Sequence, residues 1–532
     1  MNETDVNYVA KQANKGDAMK GKRVDWSSID FGNIDHNTQT ELFQRSRESL
    51  TGDPYRPVYH FSPPGADLHD TAGICWWEGK FHLFYLLSTP NIKWGRGHAV
   101  SEDLVHWKDL SIAGSTIYGG TGQVWADKKR VILGYATNKH KDVSLATASD
   151  PLLQDWVAHP KNPVYTPTPP PNANPERFAT ADNYIWRENN TYYMTIRHYH
   201  HDPELPVLAG NTALEICRSK SLENWESMGL LFDDGHFTEP GEDCACNSFL
   251  PLGNGKHLLI FFSHKRSSQY YVGRFDQDAC RFHIENHGRM CYGPVSQGSL
   301  HAPSAFIDPS GRCIAVWNVT ENRKQDGWEQ LVSLPRSLSI NKEGSVMSRH
   351  LYPLLIEPIE ELNALRSEQI SFEKIKIAAN SEFVLSGVEG QAMEIDAVID
   401  PMESREVGLN ILRSPEGEEQ TTITLFNQKW RRNQEIRELG IDVSRTSLDP
   451  MVRARPPEIG RLYIEEDEPL RLRVFIDRSV VEVFANGRQC LTVRVYPSLR
   501  ESRGVSVFTR GRDAKLVSLN AFRMRSIWPE LK

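Results

Sequence analysis

The chain has 532 residues, 24% of them charged, 39% hydrophobic and 10% aromatic, and carries a formal net charge of -8. That length exceeds one ordinary core and points to two domains, while the acidic balance leaves no basic excess to neutralise phosphates and so excludes nucleic acid as the main partner. No run of about 18 apolar residues occurs, so no membrane span is expected. The first residues are polar and lack the apolar stretch of a secretory signal, which leans towards a cytoplasmic location, or a periplasmic or secreted one if a signal has been removed. The eight cysteines show no disulfide or zinc spacing, and most are expected to be buried thiols.

In chain order, residues 1–54 hold few apolar clusters and read as an N-terminal extension or wrapping arm. From residue 55 the texture changes to short strands. The runs at 74–77 and 81–85 flank Gly79-Lys80 as a hairpin of two buried strands, and similar strands are expected at 131–135, 191–197, 257–262 and 313–317. Helical periodicity is nearly absent, so the fold class is all-β. A repeat, S-x-[DS]-L-x-x-W, occurs at 101–107 and 219–225, with a looser copy at 149–156. Each copy follows a strand and precedes a loop, as expected for a unit recurring radially in a propeller over 55–350. The proline-rich stretch 165–176 reads as a loop and 351–366 as a linker, with a short helical connector beginning near Glu357. Period-2 alternation resumes beyond it, and residues 367–532 are expected to form a β-sandwich. Asn486-Gly487 signals a type I′ hairpin within it.

Several segments together resemble glycoside hydrolase family 32, the invertase, inulinase and levanase group. They are YHFSPP at 59–64, WEGKFHLFY at 77–85, GHAVSEDLVHW at 97–107, LPRSL at 334–338, and RVFIDRS at 473–479 with VEVFAN at 481–486. The resemblance implies a five-bladed β-propeller followed by a β-sandwich. It also implies retaining, exo-acting hydrolysis of β-fructofuranosides such as sucrose or a fructan, with no metal or organic cofactor.

Retaining hydrolysis needs two carboxyl groups about 5 Å apart, one attacking and one donating a proton. His69-Asp70-Thr71-Ala72-Gly73 stands where the family has N-D-P-N-G, which makes Asp70 the expected nucleophile. Asp182 stands at the family's R-D-P aspartate, expected to steady the transition state, although Ala181 replaces the arginine. Glu242, in GEDCACNSF at 241–249, is the expected acid/base, with Asp243 and Glu239 as rivals. His69, Trp94, Thr121, Asp243 and His301 are expected to contact the sugar. His198 and His200 share a strand face and could ligate a metal, but ordinary hydrogen bonding is the preferred reading. His69, Thr71 and Ala72 depart from the family pattern, which leaves open a furanosidase with another glycone, a fructosyltransferase or a non-catalytic carbohydrate-binding propeller.

Overall fold

A computed structural model describes residues 23–528 apart from 93, 114–121, 138–139, 170–175, 177, 201–208, 211–213, 234–238, 240–241, 344–345, 428–435 and 466–467. Among the described residues, five antiparallel sheets precede residue 359, each with a run of four strands. Their inner strands are Ala66–Trp77, Val124–Ala126, Phe178–Glu188, Ala245–Gly253 and Leu300–Ile307. These lie side by side in that order, and the last neighbours the first, so the five sheets close a ring. A short strand, Trp328–Glu329, pairs in parallel with Ala66 and Asp67 and ties the fifth sheet to the first. The fifth sheet's outer strand is Leu354–Pro358, inside the stretch expected to be linker, and the helical connector is a single 3-10 segment, Glu360–Leu365.

The repeated motif is one structural device. Each copy connects the third and fourth strands of its sheet, and in each the leucine (Leu104, Leu153, Leu222) is buried with φ between 50° and 67°. Side chains flanking that leucine cap the turn: Asp103 Oδ1 accepts from the Val105 and His106 amides, and Ser219 Oγ from those of Ser221 and Leu222. Trp156 and Trp225 each donate to the carbonyl of their motif's leucine. Left-handed backbone is costly for leucine, and burial of its side chain together with these bonds holds it there.

The second domain is two six-stranded sheets packed around Ile395, Leu409, Val474, Val483, Val507 and Leu519. Asn486 and Gly487 both have positive φ, but Ala485 pairs with Gln489, so this loop has three residues rather than the two of a type I′ hairpin. A buried network joins the domains. Asp477 accepts from the amides of Val58, Tyr59 and His60 and from His60 Nδ1 at 2.9 Å, and Glu482 receives Arg336 at 2.8 Å and His60 Nε2 at 3.3 Å. The wrapping arm contains a 14-residue helix, His36–Ser49, that sequence periodicity did not reveal. Asp35 caps its amide end, Phe43 enters the core, and Arg47 lies 3.6 Å over Trp528. No helix among the described residues is long and apolar enough to cross a membrane. All eight cysteines are free and buried.

Candidate active site

Four of the inner strands break register at the residue that matters. Between Leu68 and Thr71, Ala181 and Tyr184, Ala245 and Ser248, and Leu300 and Pro303, the inner strand advances three residues against two on its partner. These are β-bulges, which re-aim side chains that a regular pleat would send elsewhere. They hold Asp70, Asp182, Cys246 and His301. Asp182 and Cys246 adopt φ of 51° and 49°. Gly73, just after Asp70, has φ 121°, and a Cβ there would sit 2.7 Å from the Val124 amide nitrogen.

Asp70 Oδ1 lies 3.0 Å from His301 Nδ1, and Cys246 Sγ lies 3.8 Å from its Oδ2. Burial penalises the Asp70 charge, but the hydrogen-bonding and charge of His301, helped by His69 and His264, hold its carboxyl below the usual carboxylate range. The His69 and Trp94 rings meet at 4.6 Å with their planes tilted by 58°, and Trp94 is 45% exposed. Beside them opens a cleft of about 540 Å³ lined by His69, Asp70, His301, Asn318, Glu329 and Arg453, the last from the second domain. This is ample for a sugar unit. Thr121, another expected sugar contact, lies outside the described residues.

Asp182 is buried and faces a guanidinium that sequence comparison declared missing. Arg197 stands directly across the strand pair from Ala181. Its Nε is 3.0 Å from Asp182 Oδ2 and its Nη1 is 2.7 Å from Asp243 Oδ2. One cation thus bridges two carboxylates. Among the described residues Asp182 Oδ1 meets no hydrogen-bond partner. Burial raises the Asp182 pKa, Arg197 opposes this, and the charges of Asp70 and Asp243 add to the rise. Asp70 and Asp182 therefore share one electrostatic neighbourhood, with pKa shifts in opposite directions.

Glu242 and Asp243 are consecutive and engage different partners. Glu242 is buried against Arg266 at 2.5 Å, Gln269 at 2.8 Å and the Glu239 amide at 2.8 Å. Asp243 joins Arg197 and also takes the His264 amide at 2.9 Å and His264 Nδ1 at 2.7 Å. Burial works against the Asp243 charge, yet His264 and Arg197 outweigh it and lower its pKa. Asp243, expected to contact sugar, is thus on the Asp182 side, whereas Glu242 is tied to the Arg266 turn. Glu239, the third rival, is exposed and meets Glu242 through its backbone. Sequence points to Arg197 only through its run with His198 and His200 and does not point to His264, because their roles arise from strands paired across the sheet.

The remaining candidate is the histidine pair. His198 Nε2 bonds to Glu215 at 2.7 Å, an acceptor shared with Tyr165 and Ser227, while the His200 side chain lies outside the described residues.

Comparison with known proteins completes the picture. Residues 60–350 match "Glycosyl hydrolases family 32 N-terminal domain" and residues 361–523 match "Glycosyl hydrolases family 32 C terminal". The chain is 26% identical to a levanase of Bacillus subtilis (strain 168), covering 90% of this chain and 72% of that one. It is 24% identical to a fructan 6-exohydrolase of Beta vulgaris, covering 89% and 87%. Fructan 1-exohydrolase IIa from Cichorium intybus superposes with a TM-score of 0.75 at 22% identity, over 89% of this chain and 98% of that one. The propeller and sandwich architecture is thereby shared. From the matched domains in both halves, the chain belongs to glycosyl hydrolase family 32 and is a glycoside hydrolase.

Proposed function

We propose that the protein releases terminal fructose from sucrose- or fructan-type β-fructofuranosides with retention of configuration, through a covalent bond to Asp70. The observation that carries this reading is that Asp70 and Asp182, on bulges of two non-adjacent sheets, lie near enough for the Asp70 charge to act on Asp182, with the Asp70 pKa lowered. Asp70 attacks the anomeric carbon as the glycosidic bond breaks, and water later displaces it. Asp182, buried with one oxygen uncommitted, accepts a sugar hydroxyl more strongly as charge develops in the transition state. The relatives named as a levanase and a fructan 6-exohydrolase support the substrate class.

Sugar release from sucrose, inulin and levan tests the substrate. Reaction in dilute methanol tests the stereochemistry, since retention yields methyl β-fructofuranoside and the α-anomer would refute it. Asp70→Asn is expected to abolish release while leaving the melting temperature within a few degrees. Equal activity in that variant would remove the nucleophile assignment. His69, Thr71 and Ala72 beside the nucleophile favour a second reading, a furanosidase with another glycone, which aryl arabinofuranosides would expose.

A further inference from the structure

The reaction proposed above expels a sugar as its leaving group, and this inference rests on that reading. Asp67 stands three residues before Asp70 on the same inner strand, about 10 Å away at the rise of a β-strand. That is beyond the fructosyl unit bonded at Asp70 and within reach of the unit joined to it. Here the cleft that begins at Asp70 is walled by the fifth sheet and by one loop of the second domain.

Two kinds of polar group meet along this wall. Some are satisfied within the protein. Glu321 accepts from Arg494 Nη1 and from the Gln330 amide, each at 2.7 Å, and Arg323 Nε donates to Asp449 at 2.7 Å. Others are not. Glu329 pairs in parallel with Asp67, which sets the two residues side by side. Burial raises the pKa of both carboxyls, and Lys324 opposes it at each, joined by Arg453 at Glu329. Among the described residues, however, neither cation comes close enough to form an ion pair with either acid.

Asn318 is a third uncommitted group. Its Nδ2 donates to Gln330 Oε1 at 2.7 Å, but Oδ1 has no partner among the described residues, although Asn318 lines the cleft and is 1% exposed. A buried amide oxygen without a donor carries a desolvation penalty that a ligand hydroxyl removes.

Arg453 is held by its backbone. Its amide donates to the Asn322 carbonyl at 3.0 Å, and its carbonyl accepts from Asn322 Nδ2 at 2.9 Å. Two residues on, Arg455 Nη1 donates to the Gly298 carbonyl at 2.8 Å, and four residues back Asp449 receives Arg323. The loop is thus stitched to the propeller on both sides of Arg453, which is exposed and lines the cleft.

We propose that Asn318, Glu329 and Arg453 bind the leaving sugar, and that their site takes a neutral, polyhydroxylated unit. A carboxylate and a guanidinium beside an amide oxygen offer both acceptors and donors to neighbouring hydroxyls, and bonds to charged groups are the strong ones. The balance of charge disfavours a phosphorylated sugar. With Glu321 and Arg323 committed, Lys324 and Arg453 face Asp67, Asp70 and Glu329, so no positive excess is left to hold an anion. Through Arg453 the second domain becomes part of substrate recognition.

The test compares Arg453→Ala, Glu329→Gln and Asn318→Ala with the parent in the full chain, each checked for folding by its melting curve. Three substrates are used: sucrose, methyl β-fructofuranoside, whose leaving group is too small to reach the wall, and sucrose phosphorylated on its glucose. The ratio of kcat/KM for sucrose to that for the methyl glycoside should fall about 10–100-fold in Arg453→Ala, in line with one hydrogen bond to a charged group. It should fall in the other two variants as well. Transfer of fructose to added glucose, relative to hydrolysis, should decline with the ratio, a readout that a purely structural role would not move. A ratio within twofold of the parent's in both Arg453→Ala and Glu329→Gln, with the methyl glycoside still cleaved, would overturn this proposal alone. A preference for the phosphorylated sucrose that Arg453→Ala removes would overturn the neutral class. Absence of turnover by the parent on sucrose and the methyl glycoside alike would overturn the underlying reading, and this proposal with it.

Discussion

Arg197→Met is the most informative single change outside the proton-transfer chemistry. Asp182 and Asp243 are 4% and 1% exposed at their side chains, and this guanidinium bridges them. Methionine preserves much of the volume and removes the charge, which leaves two buried carboxylates facing each other. Breaking a buried ion pair from one side costs about 3–5 kcal/mol. In a domain of this size about 2 °C of melting temperature goes with each kcal/mol, so the expected fall is about 6–10 °C at pH 7. Calorimetric melts from pH 4 to 8 provide the assay. The deficit should shrink towards pH 4, because the stranded carboxyls can neutralise by taking up protons. Placing the arginine at the family's own position, as Ala181→Arg with Arg197→Met, should restore part of the stability and activity, since residue 181 is the cross-strand partner of 197. A melting temperature within 1 °C of the parent for Arg197→Met, without pH dependence, would refute the bridge.

Three further outcomes follow from the same geometry. Trp94→Ala removes an exposed ring in contact with His69 and should raise KM about 2–10-fold, in line with the energy of one aromatic contact, with kcat and stability little changed by steady-state kinetics and melting. Gly73→Ala forces a side chain into a φ of 121° and against Val124, so it should cost more than about 2 kcal/mol and reduce soluble yield and denaturant midpoint together. His60 has its pKa raised above 6.5 because Asp477 and Glu482 outweigh the burial that opposes its charge. A raised pKa stabilises fully below the unfolded value and the benefit is lost as pH rises through the folded one. The stability gap between the parent and His60→Gln should therefore narrow between pH 6 and pH 9, and a gap that widened over that range would contradict the assignment.

Strand-rich texture, the turn repeat and the motif ladder were legible because each is local. The leucine of S-x-[DS]-L-x-x-W occupies one backbone conformation three times, so similar residues solve a similar turn. Asp70 and Asp182 were legible through their family positions. The helix His36–Ser49 was not, since it buries chiefly Phe43 and polar residues and carries no apolar stripe, leaving only the capping Asp35 as a signal. Glu242 and Asp243 could not be separated, because the choice depends on which way adjacent side chains turn. The pairing of Arg197 with Asp182 and of His264 with Asp243 was hidden for a related reason. A register slip of one residue decides what lies opposite what, and the bulges at 182–183 and 246–247 have no composition of their own.

The parallel pairing of Ala66 and Asp67 with Trp328 and Glu329 bears on how the enzyme is born. The strand bearing Asp70 emerges early from the ribosome, yet a neighbour that flanks it is synthesised only when the ring is almost finished. Joining such distant segments carries a large entropic cost and slows assembly. A nascent or truncated chain lacking that late segment would leave Ala66 and Asp67, at the start of the strand that carries Asp70, unpaired on one side, so hydrolytic competence should arrive with ring closure, in one step.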